Sequence, residues 1–298
     1  MRLHRNRSFL SLLMCLTSAL SAASAGGFRP VPSFSPGEVV RYRMNLTILI
    51  ESSVGPEDDP AASERSLRGA VDLTWRVEVV AKETDGSTRL RAVIEALGLE
   101  PPEWAGQLQP ADIVGQTVSY RLGPDGRVDD IQLPASWSQD GNAPSWLGAW
   151  LDLSPGGQSG LPADPLKPGD RWTSTRSRET PGLPRQQETS ESEYLRDEVR
   201  GGVPCASLLT RYTTHGADAQ EEVGRDGGRT RTERLLEGEG DLLVCHDLAN
   251  GRVVESTLRS RELLRLRVHD ISHDRRQPGP ALVLETRTQR ESYLRVVD

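Results

Sequence analysis

The chain has 298 residues, with 36 basic and 43 acidic side chains and a formal net charge of −7. The first 25 residues carry three arginines and no acid, so the remainder sits near −10 and holds no basic field of the kind nucleic-acid binding demands. The long apolar run is confined to the N-terminus, which excludes a helical membrane protein, and the length suits one large β domain or two small ones.

Residues 1–25 read as an export signal. Arg2, Arg5 and Arg7 form a basic n-region, Phe9 to Leu20 a short apolar h-region, and Ala23-Ser24-Ala25 an A-x-A cleavage pattern. At ~1.5 Å per residue the apolar stretch is too short to cross a bilayer. Cys15 lies inside it, behind Leu12-Leu13-Met14, which lacks the small residues of a lipid-attachment site. The expectation is cleavage after Ala25 and a periplasmic or extracellular protein.

Period-2 alternation dominates from there on. Val40, Tyr42, Met44, Leu46, Ile48 and Ile50 share one strand face; Val71, Leu73, Trp75, Val77 and Val79 share another; Leu90, Ala92, Ile94 and Ala96 follow. Shorter strands are expected at 118–122 and 128–133, then at 171–180, 188–199, 203–213, 235–246, 253–268 and 282–297, with turns at Asp85-Gly86, Gly123 to Gly126, Gly201-Gly202 and Asn250-Gly251. This predicts an all-β protein with a minor helix: about eleven strands in an antiparallel meander, apolar on one face, forming a curved or barrel-like sheet.

Two segments break the pattern. Ser52 to Ser66, acidic and rich in Pro, Ser and Ala, reads as a mobile loop. Residues 135–166 hold the one helix candidate, with Ser145 as cap and Trp146, Leu147, Trp150 and Leu151 on one face. The resulting division is a signal peptide (1–25), a first β unit (26–134), a tryptophan-bearing connector (135–166) and a second β unit (167–298). Pro36-Gly37-Glu38 and Pro168-Gly169-Asp170 open the two sets of strands, and Gly126-Arg127-Val128 and Gly251-Arg252-Val253 come late in each, a recurrence that points to two similar units.

An outer-membrane barrel fits export and strands, but Arg259, Arg261, Arg265 and Arg267 share one strand face, and Glu285, Arg287, Gln289, Glu291 and Arg295 another. Facing lipid at mid-bilayer, such charges would each cost about 2–4 kcal/mol. A sheet outside the membrane is expected.

Cys205 and Cys245 remain once Cys15 is set aside. A hairpin turning near Arg225-Asp226-Gly227-Gly228 would place them opposite one another, which favours a disulfide over two separate buried thiols.

No metal, nucleotide or nucleophile-elbow motif is present, and no cofactor is expected. His269-Asp270-Ile271-Ser272-His273-Asp274 reads as a solvated loop, His246-Asp247 as a surface or turn pair, and adjacent acids such as Asp129-Asp130 point to opposite faces. A non-enzyme is expected. Trp104, Trp137, Trp146 and Trp150 cluster in or beside the connector. Such rings either cap the sheet as ordinary core or line the entrance of a cavity for an apolar ligand.

The run Leu161-Pro162-Ala163-Asp164-Pro165-Leu166-Lys167-Pro168-Gly169-Asp170-Arg171-Trp172 resembles the L-P-x-x-P-x-x-x-G-D-x-W element of exported bacterial β-rich proteins of unknown function. The strand at Gly238-Glu239-Gly240, followed by Asn250-Gly251-Arg252-Val253, is similar to their pattern. That resemblance implies location and architecture and no activity. The leading expectation is an envelope or secreted protein that holds a lipid-like ligand, or a protein partner, on a curved sheet. The alternatives are a structural or assembly protein of the envelope, and an unrecognised hydrolase.

Overall fold

A computed structural model describes residues 27–56, 59, 63–101, 110–124, 126, 128–138, 150, 161–162, 164–178, 184–223, 229–270 and 281–297. Eleven strands form the first-half elements β1 (Val39–Pro56), β2 (Ser63–Lys82), β3 (Thr88–Glu100), β4 (Thr117–Leu122) and β5 (Val128–Gln132), and the second-half elements β6 (Arg171–Arg178), β7 (Gln186–Arg200), β8 (Val203–Val223), β9 (Arg229–Asp247), β10 (Val253–Asp270) and β11 (Leu282–Val297). Among the described residues, two single-turn helices, α1 (Pro110–Ile113) and α2 (Ala135–Ser138), interrupt them. The strands fall where the alternation predicts them, but β1, β2, β8 and β9 run further.

All eleven belong to one sheet, ordered β5-β4-β3-β2-β1-β11-β10-β9-β8-β7-β6. Each half is a hairpin meander, and the halves join where β1 pairs antiparallel with β11, from Arg41↔Val297 to Pro56↔Leu282. The edges are β5 and β6, so the sheet is not closed into a barrel. Both edges are short and polar, which blunts them as templates for strand addition.

Within the expected loop at 52–66, residues 52–56 and 63–66 are strand. Ser52 pairs with Arg65 of β2, and Val54 with Ser63. The same β1 residues pair with β11 on their other side, Ser52 with Thr286 and Val54 with Leu284. The ladder partners on both sides supply what the local composition lacks. His269 likewise belongs to β10, paired with Arg231, and not to a loop.

The sheet curls. At ~4.8 Å per strand, the β4–β5 turn and the β9–β10 turn would lie roughly 30 Å apart on a flat surface. Yet a Cβ on Gly126 of the first turn would sit 3.9 Å from Val31 Cγ2, and one on Gly251 of the second would run into the Val31 carbonyl oxygen. Residues 27–34 therefore act as a strap across one end of the curl. The Phe28 N–H donates to the Leu166 carbonyl, and the Leu166 N–H to the Phe28 carbonyl, each at 2.7 Å. The Ser33 N–H donates to the Asn250 carbonyl at 2.7 Å.

The two Pro-Gly-acid tripeptides adopt one geometry. Gly37 (φ 77°) and Gly169 (φ 92°) occupy the left-handed position that a tight turn after proline requires. The acid that follows each accepts a backbone N–H three residues earlier, Ser35 to Glu38 and Lys167 to Asp170, both at 2.9 Å. One turn leads into β1 and the other into β6. Within the resemblance element, Leu161, Leu166 and Trp172 pack with Phe28, Tyr194, Ala206 and Leu208 and so anchor the connector to the second half.

Cys205 and Cys245 lie at disulfide distance (2.03 Å between sulfurs), with Cα atoms 5.6 Å apart. They are not directly opposite. Cys205 faces Asp247 and Cys245 faces Ser207, so the pair is diagonal, and the hairpin is centred one residue later than the turn signal implied.

Paired arginines tie the outer face together. Glu95 accepts from Arg41 Nε at 2.6 Å and Arg76 Nη1 at 3.0 Å, and Glu78 accepts from Arg76 Nε at 2.7 Å and Arg91 Nη2 at 2.5 Å. These donors hold both carboxyl groups below their ordinary range, chiefly the Arg76 hydrogen bond at Glu78 and the Arg41 hydrogen bond at Glu95. One guanidinium can bridge two carboxylates on neighbouring strands through its fixed fork, a geometry suited to a chain whose cations are almost all arginine.

Candidate functional site

The concave face of β1 to β4 is apolar because every second residue points into it. Tyr42, Met44 and Leu46 of β1, Leu73, Trp75 and Val77 of β2, Leu90, Ala92 and Ile94 of β3, and Val118, Tyr120 and Leu122 of β4 are all buried there. Tyr42 stacks on Trp75 with ring centroids 5.6 Å apart. Full burial of each such side chain is worth about 1.5–3 kcal/mol, so this half is the principal core.

Of the four connector tryptophans, Trp137 of α2 and Trp150, itself in helical conformation, are described and buried, with 1% and 0% of their surface exposed. Both pack on the concave face, and Trp150 meets Trp75 edge-on at 5.9 Å. These two rings thus cover part of the apolar half of the sheet. Trp104, Trp146 and the rest of the expected helix lie outside the described residues.

The second half presents a different lining. Its inward positions carry hydroxyls: Ser174 and Ser190 share a hydrogen bond at 2.8 Å, as do Ser192 and Thr210, and Ser256, Ser260 and Ser292 are buried. Further along the same strands the inward side chains are ion-paired, Arg176 with Glu188 at 2.8 Å and Arg290 with Glu262 at 2.9 Å. The interior therefore grades from hydrocarbon through hydroxyl to charge. Single-face apolarity, expected for the whole meander, is strongest in the first half; in the second half Val244, Leu258 and Leu294 continue it beside the hydroxyls.

Among the described residues, five buried polar atoms facing this interior have no hydrogen-bond partner: Tyr42 Oη, Trp75 Nε1, Tyr120 Oη, Ser256 Oγ and Ser292 Oγ. Burial drives the Tyr42 and Tyr120 phenols upward, out of any physiological range, so both remain neutral donors. Each unpaired group costs about 1–3 kcal/mol, which makes the concentration of five on one face informative.

His246 departs from the expected surface pair. It is buried beneath the strap, 6.1 Å from the Phe28 ring, and its Nδ1–H donates to the Gly251 carbonyl at 2.9 Å. Desolvation lowers its pKa to about 4 against a small opposing effect of that hydrogen bond, so the imidazole is neutral. Asp247 instead shapes the turn, accepting from the Ala249 N–H at 2.8 Å and Asn250 Nδ2 at 2.7 Å. The adjacent acids Asp129 and Asp130 serve separate ion pairs, with Arg121 at 2.6 Å and Arg89 at 3.1 Å.

No protein-family model matches the chain, and no curated protein is similar to it. Among the described residues no three His, Cys, Asp or Glu side chains converge to hold a metal ion, and no helix is long and apolar enough to cross a membrane. The buried tyrosines and serines of the interior lie beyond what the sequence reading singled out. The tyrosines fell on the expected apolar face, but nothing in their spacing marked their hydroxyls as unpaired.

Proposed function

We propose that this is an exported, non-enzymatic binding protein that holds an apolar, lipid-like ligand in the concavity of its sheet, beneath the tryptophans of the connector. The observation that carries the reading is the set of five polar atoms, unpartnered among the described residues, on the inward face, three of them within its apolar first half. A molecule that is mostly hydrocarbon with a few polar groups complements such a lining. The basic and apolar N-terminal pattern supports export, and a cysteine pair at disulfide distance is compatible with an oxidising compartment.

Native mass spectrometry after mild purification is expected to show a co-purifying small apolar molecule, and Trp137→Ala or Trp150→Ala to weaken fluorescent fatty-acid binding several-fold. Absence of both ligand and probe binding would refute the reading. A second reading, a platform for a protein partner in envelope assembly, is favoured by a groove of about 940 Å³ on the opposite face of the sheet, where Arg68, Arg211 and Arg261 alternate with Glu191, Glu239 and Asp241. Cross-linking that recovers a stable protein partner through this groove would favour it.

A further inference from the structure

A second concavity lies at the strapped end of the curl, and its charge differs from that of the rest of the molecule. A cleft of about 830 Å³ is enclosed by the strap, the β2–β3, β4–β5 and β9–β10 turns, and the end of the connector. Its apolar side chains are Phe34 and Val31 of the strap, Leu122 of β4, Leu161 of the connector and Leu248 of the β9–β10 turn, with Ser33, Thr88 and Asn250 among its polar ones. Thr88 and Leu122 belong to the concave face of β3 and β4, so the cleft reaches the lower end of the apolar interior, next to Tyr120 on the same strand.

Among the described residues that line it there is no carboxylate, although acids outnumber bases in the chain by 43 to 36. Among the described residues the charged side chains lining it are Arg29 and Lys82, both exposed and both cationic. Among the described residues neither forms an ion pair, whereas nearby guanidinium groups are committed: Arg89 to Glu83 at 3.0 Å, Arg121 to Asp129 at 2.6 Å, and Arg252 to Glu38. Lys82 is one of two lysines beyond the N-terminal segment.

From this juxtaposition we infer that the cleft binds an amphiphilic anion, a single hydrocarbon chain ending in a carboxylate, with Arg29 and Lys82 holding the head group at the rim. The chain lies against Val31, Phe34, Leu122 and Leu161 and points toward the interior. This rests on the ligand-binding reading above and specifies the head group that the ligand must carry.

Isothermal titration with dodecanoate and dodecanol separates the two ideas, because the probes share a chain and differ in head charge. The intact protein is expected to bind dodecanoate roughly ten-fold more tightly at low salt, since two exposed charge contacts each contribute a few-fold. That preference should shrink as salt screens the contacts. The Arg29→Gln/Lys82→Gln variant, altered at two exposed positions, is expected to bind both probes alike. Equal affinities in the intact protein, or a preference that survives in the variant, would overturn the head-group inference while leaving apolar binding intact. Failure of both probes to bind would overturn it together with the reading on which it rests.

Discussion

At the scale of single residues, His246 is the group whose chemistry the fold alters most. Its folded pKa lies near 4 because burial disfavours the imidazolium. The unfolded chain takes up a proton near pH 6.5 and the folded chain does not, so stability is full above the unfolded value and falls as pH drops toward the folded one. Between pH 7 and pH 5 the loss is about 2 kcal/mol, followed by urea unfolding at the two pH values. His246→Gln should flatten this window. The carboxylates held low by arginine, Glu78 and Glu95, act in a separate range: their contribution is present above their ordinary pKa and fades as pH falls below it. A variant that loses the same stability between pH 7 and pH 5 as the intact protein would show that His246 is not the group responsible.

At the scale of elements, the strap and the β8–β9 hairpin carry the sharpest expectations. Gly251 combines a left-handed φ of 70° with a Cβ direction blocked by the Val31 carbonyl, whereas Gly37 has φ 77° and open space around it. Gly37→Ala should therefore cost only the left-handed backbone penalty, about 1–2 kcal/mol. Gly251→Ala should cost more than that, about 3 kcal/mol, because the strap must also move. Chemical-denaturation midpoints of the two variants decide this, and equal values would mean that the strap is not seated against the turn. The cysteine pair spans 40 residues of sequence, so its removal by Cys205→Ser/Cys245→Ser is expected to lower stability. The chain-entropy figure is about 4 kcal/mol and is an upper bound. An unchanged unfolding midpoint with and without reductant would contradict a bridge.

At the scale of the whole molecule, β11 joins the halves, because it is hydrogen-bonded to β1 on one side and to β10 on the other. Truncation before Leu282 would leave two half-sheets, each with a long unpaired edge. Loss of the monomer peak in size-exclusion chromatography, through aggregation, is the expected result. A soluble monomeric truncation product with native-like spectroscopy would show that the halves fold independently.

Much of this architecture was legible in the chain. The strands, their alternation and their turns are local properties: Val71 to Val79 must place its odd-numbered side chains on one face, and Pro-Gly before β1 and β6 must turn. Contacts between residues far apart in sequence were not legible. The strand identity of 52–56 depends on ladders to both β2 and β11, and the diagonal placement of Cys205 and Cys245 depends on a register shifted by one residue. The burial of His246 depends on a strap that begins more than 200 residues earlier. Of the candidate site, two of the four tryptophans are placed over the concave face, while the unpaired tyrosine and serine hydroxyls emerged only in three dimensions. By itself, the sequence determined an antiparallel meander of about eleven strands with an apolar face. Only the tertiary structure decided that the meander curls, which residues close its end, and which polar groups are left facing inward, because those outcomes are set by packing between strands that no local pattern connects.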